Sequence, residues 1–358
     1  MPRLRYYITG HGLGHASRAC QVIGALAARH PRIHCSVVSD AAPWFLADNL
    51  PPGVKVTRSA LDIGVLQFDS LVMRPEATLA ACRRLREQAA ALIDAEATSL
   101  QRDRVDLVVT DVAALPCAAA GAAGIPALIF SNFTWDWIYE GFLDDHPEFA
   151  EEIDWQRSCY RQAQRALRLP FHGPMPAPLE VIDLPLVARR SQTSRATIRR
   201  QLDLGEGQRL GLFSFGGFGL EEAPLTGIAR HPEWIWLAEP EMAAGHASLR
   251  PLPPGIAYPD LVNAADVVVT KPGYGIVAEC LAHRTPVLFT PRGAFREQPL
   301  LVAGLKHYGR ALEIDNVSLR QGNLQEALES LLALPQPAES LAANGADVAA
   351  DHLAGLLR

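Results

Sequence analysis

Short apolar runs alternate with longer stretches in which apolar residues recur at helical spacing. In the first half of the chain the short runs occupy residues 5–9, 34–39, 107–110 and 127–130. The helical stretches occupy residues 15–29, 75–100 and 114–123. Strands that alternate with helices form βαβ units, so this half is predicted to be a parallel sheet covered by helices on both faces.

The alternation breaks at about residues 132–184, a stretch that holds three tryptophans and several prolines. It resumes with apolar runs at residues 210–215, 234–238, 267–270 and 287–290. A chain of 358 residues is long enough for two domains. We therefore expect an α/β protein with two Rossmann-like domains, residues 1–184 and 185–340, and a hinge near Pro185. An apolar helix is predicted from about residue 338, so that residues 341–358 could cross back to the first domain.

Charge and cysteine usage narrow the class of protein. Lys plus Arg is 33 and Asp plus Glu is 39, a net charge of −6 that argues against a nucleic-acid partner. The six cysteines are scattered without a C-x-x-C pair, as in reduced, cytoplasmic proteins. Asp111, Pro116 and Gly121 interrupt the most apolar window, so no integral membrane span is expected. A peripheral membrane contact remains open.

The first predicted strand leads into the sequence GHGLGH over residues 10–15. Glycines at such a turn bring backbone N–H groups close to a ligand at a helix N-terminus. The turn lacks the third glycine of a dinucleotide fingerprint. His11 precedes the helix and no third ligand is evident, so no metal is expected. A functional His15 at the mouth of the sheet is favoured over an incidental histidine.

Two glycine-rich turns follow strands of the second half: SFGGFG over residues 214–219 and TKPGYGIVAE over residues 270–279. The second is the more specific. Free N–H groups at Gly275 and Ile276, with the helix dipole, would hold an anionic diphosphate. Glu279 lies one turn into that helix, where it either accepts both hydroxyls of a ribose or simply favours the helix dipole.

A fourth segment, PRGAFREQ over residues 291–298, places Glu297 and Gln298 after the next strand. These groups suit sugar hydroxyls, although a solvated loop explains them equally well. The chain has no Asp-x-Asp triplet, no G-x-x-x-x-G-K-[ST] loop and no G-x-S-x-G elbow. These absences argue against metal-dependent glycosyltransferases, P-loop nucleotidases and α/β-hydrolases.

With these motifs together, the chain resembles the GT-B glycosyltransferases, whose two Rossmann-like domains face each other across a cleft. It is similar to the branch that holds MurG and plant monogalactosyldiacylglycerol synthase. It is most similar to the N-terminal, glycosyltransferase-like region of plant L-arabinokinases. The stretches YYITGHGLGHASR, SNFTWDWIYEGF, VIDLPLVARR and KPGYGIVAE carry the likeness, which runs from about residue 6 to residue 343. Lys271 and Pro272 stand where the family more commonly has Arg-x-Gly-Ala.

The resemblance implies a nucleotide-sugar donor, for example a UDP-sugar, bound in the second domain. His15 matches the histidine of the family's G-G-H turn, Glu279 its ribose-binding glutamate, and Glu297 with Gln298 its sugar-binding pair. The implied donor-binding residues are Gly216, Gly217, Tyr258, Gly273, Tyr274, Gly275, Ile276, Glu279, Glu297 and Gln298. The implied acceptor side holds His11, Gly12 and Gly14.

These observations favour an inverting, metal-independent glycosyltransferase that moves a sugar from a nucleoside-diphosphate sugar to an acceptor hydroxyl. His15 would be the general base, and no cofactor is expected beyond the nucleotide sugar as co-substrate. The alternatives are a nucleotide-sugar epimerase or hydrolase, and a non-catalytic nucleotide-sugar-binding protein. The acceptor is a small molecule or a lipid-like one. Apolar residues 61–74 form either buried sheet, which is favoured, or a lip for a lipid-like acceptor.

Overall fold

The structure is a computed structural model that describes residues 1–176, 179–216, 220, 223–293 and 295–357. In this part of the chain the strands form two parallel sheets. The first is seven-stranded, in the order β3-β2-β1-β4-β5-β6-β7. Its strands are β1 Arg3–Ile8, β2 His34–Ser39, β3 Lys55–Thr57, β4 Leu107–Asp111, β5 Ala127–Ser131, β6 Arg165–Arg168 and β7 Glu180–Asp183.

The second sheet is six-stranded, in the order β10-β9-β8-β11-β12-β13. Its strands are β8 Arg209–Ser214, β9 Trp234–Ala238, β10 Leu249–Pro251, β11 Val267–Thr270, β12 Val287–Phe289 and β13 Ala311–Glu313. The order of each sheet reverses beside its first strand, β1 or β8, and ligands bind open α/β sheets at such switch points. The α/β class and the two-sheet GT-B architecture are confirmed.

Helices connect the strands and cover both sheets. Those of the first half are α1 Leu13–Arg29, α2 Pro43–Asn49, α3 Pro75–Arg102, α4 Leu115–Ala123, α5 Trp135–Tyr139 and α6 Phe149–Tyr160. Those of the second half are α7 Arg195–Gln201, α8 Pro240–Ala244, α9 Tyr258–Ala264, α10 Tyr274–His283, α11 Gln298–Tyr308, α12 Asn316–Gln321, α13 Gln325–Ala333 and α14 Gly345–Leu356. In the described ranges, none of these helices combines the length and the apolar character that a membrane crossing requires.

Burial explains the apolar runs. Strands β4, β5, β9 and β11 are buried at every position, as expected for central strands packed on both faces. The alternation does not stop at residue 132, because β6 and β7 extend the first sheet as parallel strands. Their runs are only four residues long and carry charged residues, which hid them from the hydrophobic pattern.

The C-terminal helix packs against the first half. Helix α14 lies beside α1, where Arg29 forms an ion pair with Asp351. The chain reaches it through backbone hydrogen bonds to the segment that follows β7: the Gly345 amide donates to the Leu186 carbonyl at 3.0 Å. A Cβ on Gly345 would lie 2.1 Å from the Pro185 carbonyl oxygen, so the close approach requires glycine. The helix was predicted to begin at about residue 338, but it begins at Gly345. Residues 338–344 form an irregular segment instead.

A short antiparallel hairpin of residues 66–74, here called the bridging hairpin, runs from the first half to the second. Gln67 pairs with Met73, and the Phe68 amide donates to the Val72 carbonyl. At its tip the Ser70 hydroxyl donates to the Phe215 carbonyl at 2.5 Å. The prediction of buried sheet for residues 61–74 is therefore partly wrong. Some of its apolar side chains are buried, including Leu61, Val65 and Leu71, but others lie exposed on the outer face, namely Leu66, Phe68 and Val72.

Candidate active site

A cavity of about 970 Å³ opens between the two halves. His11 follows β1 and Gly216 follows β8, and both line the cavity. Lys271 enters it from the end of β11. The cavity therefore lies at the carboxyl ends of both sheets, beside both reversals of strand order, which is where open α/β sheets bind ligands.

Two helix N-termini meet at the floor of this cavity. A Cβ placed on Gly275, in the first turn of α10, would lie 3.3 Å from the Cα of Gly14 in α1. Neither helix has a side-chain cap, since the N-cap residues are Gly12 and Gly273. Their first backbone N–H groups are therefore left for a ligand, and both helix dipoles direct positive potential to one place. This geometry suits a diphosphate.

Two cationic side chains add to that positive potential. The Nζ of Lys271 lies 3.9 Å from the position of a Cβ on Gly273, so it folds back over the start of α10. Burial, and next the charge of Arg292, lower the pKa of Lys271 to about 7. Within the described ranges Lys271 has no ion-pair partner. A buried cation of this kind is stabilised by an anionic ligand.

His15 belongs to a buried network of polar side chains. Its Nδ1 lies 2.8 Å from Oδ1 of Asp111, the last residue of β4. Arg18, one turn further along α1, donates to both oxygens of Asp111, from Nε at 2.7 Å and from Nη2 at 2.6 Å. It also donates to the side chains of Ser131, the last residue of β5, and Asn132, which follows it. Asp111 is fully buried.

This network determines the tautomer of His15. Nδ1 lies 2.8 Å from Oδ1 of Asp111 and 2.9 Å from Nη2 of Arg18, which itself donates to the same carboxylate oxygen. We therefore assign the proton to Nδ1, which donates it to the Asp111 carboxylate. Nε2 is then the acceptor, and His15 lines the cavity. Burial, and next the charge of Arg18, lower the pKa of His15, while Asp111 opposes the shift. The imidazole is therefore neutral at pH 7 and can accept a proton.

Glu297, in the second half, extends the same hydrogen-bonded network through Asn132. One of its oxygens accepts from Nδ2 of Asn132 at 2.7 Å and the other accepts from Nη2 of Arg292 at 2.9 Å. Gln298 is turned to its own loop, where Oε1 accepts from the Arg292 amide at 2.8 Å, and it is absent from the cavity wall formed by the described residues. The pair predicted to hold a sugar is thus largely engaged in holding Arg292 and the first half.

Glu279 lies at the other end of the cavity. Its Oε1 accepts from Nε of Arg189 at 2.6 Å, and its Oε2 is buried with no hydrogen-bond partner among the described residues. The Arg189 guanidinium lies 5.2 Å from the ring centre of Tyr258 and 5.6 Å from that of Phe45. An unsatisfied carboxylate oxygen beside an aromatic wall suits the hydroxyls of a ribose and the base attached to it.

His11 packs into the wall above His15. Its ring stacks on Phe295 with centroids 6.3 Å apart and meets the edge of Trp135 at 5.2 Å. A Cβ on Gly64 would lie 2.8 Å from the His11 ring, so the chain passes directly over it. Burial, followed by the charge of His15, lowers the pKa of His11 well below its usual value.

The structure brings most of the predicted site residues into one wall. The cavity is lined by His11, Gly12, Gly14, His15, Gly216, Tyr258, Gly273, Tyr274, Gly275, Ile276, Glu279 and Glu297. Gly217 lies outside the described residues. Among the described residues, no group of three or more His, Cys, Asp or Glu side chains is placed to bind a metal ion.

Several polar residues of the site were missed in the sequence. They are Arg18, Gln67, Asp111, Asn132, Arg189 and Arg292. Asp111 carried a usable signal, because a carboxylate directly at the end of a buried strand lies at the ligand-binding edge of a parallel sheet. Arg189 carried none, since its partner Glu279 is 90 positions away.

Comparisons with known proteins agree with this architecture. L-arabinokinase of Arabidopsis thaliana is 33% identical over 97% of this chain, and the chain spans 34% of that protein's length. Among solved structures, the glycotransferase of kitacinnamycin has a TM-score of 0.64 at 18% identity, covering 100% of this chain and 94% of the other. MurG of Acinetobacter baumannii has a TM-score of 0.61 at 15% identity, covering 99% and 100%. No family model matches the chain.

The resemblance derived from the motifs is thereby confirmed at two levels. The structural likeness is to glycosyltransferases that include MurG, and the sequence likeness is to about a third of a plant L-arabinokinase. The chain has the GT-B fold of the glycosyltransferases.

Proposed function

We propose that this chain transfers a sugar from a nucleoside-diphosphate sugar to an acceptor hydroxyl, with inversion at the anomeric carbon and without a metal ion. One observation carries the proposal. A single cavity contains the uncapped N-termini of α1 and α10 with Lys271, which suit a diphosphate, next to the His15–Asp111 pair, which suits a neutral base.

The donor lies along the cavity in a definite direction. The base and ribose occupy the end with Tyr258 and Glu279, where the free Oε2 accepts ribose hydroxyls. The diphosphate lies at the centre, against the backbone N–H groups of Gly275 and its neighbours. The sugar then extends towards His11 and Phe295, on the side of the cavity that holds His15.

The chemistry follows from the protonation state of His15. An acceptor hydroxyl attacks the anomeric carbon and gives its proton to Nε2, while Asp111 stabilises the resulting imidazolium. The bond between the anomeric carbon and the diphosphate oxygen breaks as the new bond forms. Its electron pair leaves with the nucleoside diphosphate, whose growing negative charge is stabilised by Lys271 and the helix N-termini.

Direct assay of product release tests the proposal. Purified protein is mixed with UDP-, GDP- and dTDP-sugars, with and without a panel of sugar and lipid-like alcohols, and nucleoside diphosphate is measured. We expect acceptor-dependent release with at least one donor and a matching glycoside in the product. Conversion of a sugar nucleotide into an isomer without an acceptor would contradict transfer and support an epimerase instead.

The acceptor belongs to the same proposal. Leu66, Phe68 and Val72 of the bridging hairpin are exposed, and Gln67 of the same hairpin lines the cavity, which suits an acceptor with an apolar portion. Alcohols in the assay panel should therefore include both short sugars and glycosides with alkyl chains. A preference for the alkyl-bearing acceptors supports this assignment, and equal rates with both kinds contradict it.

A further inference from the structure

Among the residues that the structure describes, Gln67 has no hydrogen-bond partner for either end of its carboxamide. Both Oε1 and Nε2 are inaccessible to solvent and unpaired within the described ranges, yet the residue forms part of the cavity wall. Burying a donor and an acceptor without partners is unfavourable, so most such groups in folded proteins are paired. The exception here lies beside a ligand cavity.

The bridging hairpin directs this side chain inwards. Gln67 and Met73 are cross-strand partners, so they share one face of the hairpin. The other face carries the exposed side chains of Phe68 and Val72. The terminal methyl of Met73 lies 3.6 Å from the position of a Cβ on Gly293, which places the inner face against the donor-side loop.

The hairpin is attached to both halves. The Ser70 hydroxyl bonds the Phe215 carbonyl, and Asp69 accepts from Nη2 of Arg320 at 3.2 Å. Asp69 also accepts from the Leu71 and Val72 amides at 2.8 and 2.9 Å, which stiffens the tip. The backbone at Gln67 is therefore fixed relative to the second half, while its side chain retains rotatable bonds.

The position of Gln67 along the cavity indicates which part of a donor it meets. Phe215, to which the hairpin is attached, directly precedes Gly216 of the cavity wall. Gly64, three residues before Gln67, covers the ring of His11. His11, under Gly64, and Gly293, against which Met73 packs, mark the part of the cavity that receives the transferred sugar in the proposed function.

Other polar groups in that part of the cavity already have hydrogen-bond partners within the protein. Both carboxylate oxygens of Glu297 accept hydrogen bonds from Asn132 and Arg292, and Gln298 is bonded within its own loop. A carboxamide offers a donor and an acceptor together, which is the complement of neighbouring sugar hydroxyls. Because both carboxamide atoms are inaccessible in the free protein, contact with a ligand requires a rotation about the Gln67 side-chain torsion angles.

We infer that Gln67 is a specificity-determining residue that binds hydroxyls of the transferred sugar, accepting from one and donating to its neighbour. The inference rests on the proposed function, because it requires a sugar nucleotide in the cavity. It gives the bridging hairpin a role in substrate choice: the first half of the chain contributes to recognition of a donor held by the second half.

Calorimetric binding measurements separate the sugar contact from the nucleotide contact. Kd is measured for UDP and UDP-glucose, GDP and GDP-mannose, and dTDP and dTDP-glucose, with wild type and with Gln67→Met. For the pair that binds, we compare the ratio of the Kd of the diphosphate to the Kd of the sugar nucleotide. We expect this ratio to be larger in the wild type than in Gln67→Met. Loss of the Gln67 hydrogen bonds to the sugar should reduce the ratio by about tenfold and leave the Kd of the diphosphate unchanged.

Gln325→Met, on the exposed surface of α13, is the matched control and should change neither Kd. Melting temperatures of the free proteins add a second readout. Gln67→Met loses no hydrogen bond of the free protein, so its melting temperature should equal or exceed that of the wild type. A lower melting temperature would assign Gln67 a structural role and overturn the inference.

The outcomes distinguish this inference from the proposed function. Wild-type protein that binds none of the six compounds contradicts both. Wild-type protein that binds a sugar nucleotide, with the same preference over the diphosphate in Gln67→Met, leaves the proposed function standing and overturns the role of Gln67.

Discussion

Binding of a sugar nucleotide above pH 7 should draw a proton from solution onto Lys271. The free ammonium is destabilised by burial and by Arg292, with a pKa of about 7. A diphosphate at the start of α10 supplies the missing negative charge and raises that pKa. At pH 8 about 0.9 of the lysine is uncharged before binding, so about 0.9 proton is taken up per bound ligand.

The sign and size of the pH effect on affinity follow from the same linkage. Only charged Lys271 contributes its attraction, so affinity is greatest below pH 7 and falls as the pH rises through 7. Between pH 6 and pH 8 the decrease is about tenfold. A sugar nucleotide is the proper ligand, because its diphosphate has no ionisation of its own in this range.

The assay is titration calorimetry at pH 8 in two buffers with different ionisation enthalpies, followed by Kd from pH 6 to pH 8. Lys271→Arg, which stays charged, should show neither proton uptake nor the tenfold decrease. Lys271→Met should bind weakly at every pH. Proton uptake that persists in Lys271→Arg, or an affinity for wild type that does not change with pH, would refute the assignment of Lys271 to the diphosphate.

Three further predictions concern the contacts around the cavity. Gly275→Ala should weaken sugar-nucleotide binding in calorimetry, because its Cβ would press on α1 at 3.3 Å; Gly355→Ala in α14, where a Cβ meets nothing within 4 Å, is the control and should bind normally. Arg189→Met leaves buried Glu279 without its ion-pair partner, so urea unfolding should show a loss of about 3 kcal/mol, and an unchanged midpoint would contradict the pairing. Asp111→Asn should lower turnover about 10²-fold or more, and wild-type turnover should rise with pH through the pKa of His15, which burial lowers from its usual value; rates that fall over that range would exclude a neutral histidine base.

Much of the fold was accessible from the pattern of apolar residues. Strands β9 and β11 occur at the predicted residues, because a strand buried on both faces must be a nearly continuous apolar run. The short, charged strands β6 and β7 escaped prediction, since they lie towards one edge of the sheet, where fewer side chains are buried.

The site was predictable where it depends on one stretch of chain. The glycine turns before α1 and α10 can be recognised from a short segment of sequence, because a helix start that approaches a ligand needs small residues. Asp111 is different. It was interpreted as an interruption of an apolar window, although its place at the end of a buried strand was a usable signal; that it pairs with His15 follows only from the pairing of β1 with β4, which sets Ile8 opposite Asp111.

Contacts between segments that are distant in the chain could not be predicted from the sequence. Gln67 reaches the cavity because a hairpin from the first half is attached to Phe215 in the second, 145 positions from Ser70. Glu297 likewise meets Asn132 across 165 positions. No local pattern contains such information, since it depends on how two independently formed sheets pack together.

The central claim is that His15 acts as a base on a sugar nucleotide held between the two halves. Its most direct test is the rate of nucleoside diphosphate release by wild type and by His15→Ala, measured side by side with the donor and acceptor panels. We predict acceptor-dependent release by the wild type. In the variant the rate should be reduced by about 10²-fold or more, with the Kd of the donor little changed. Equal release by the two proteins with every donor and acceptor would contradict the claim.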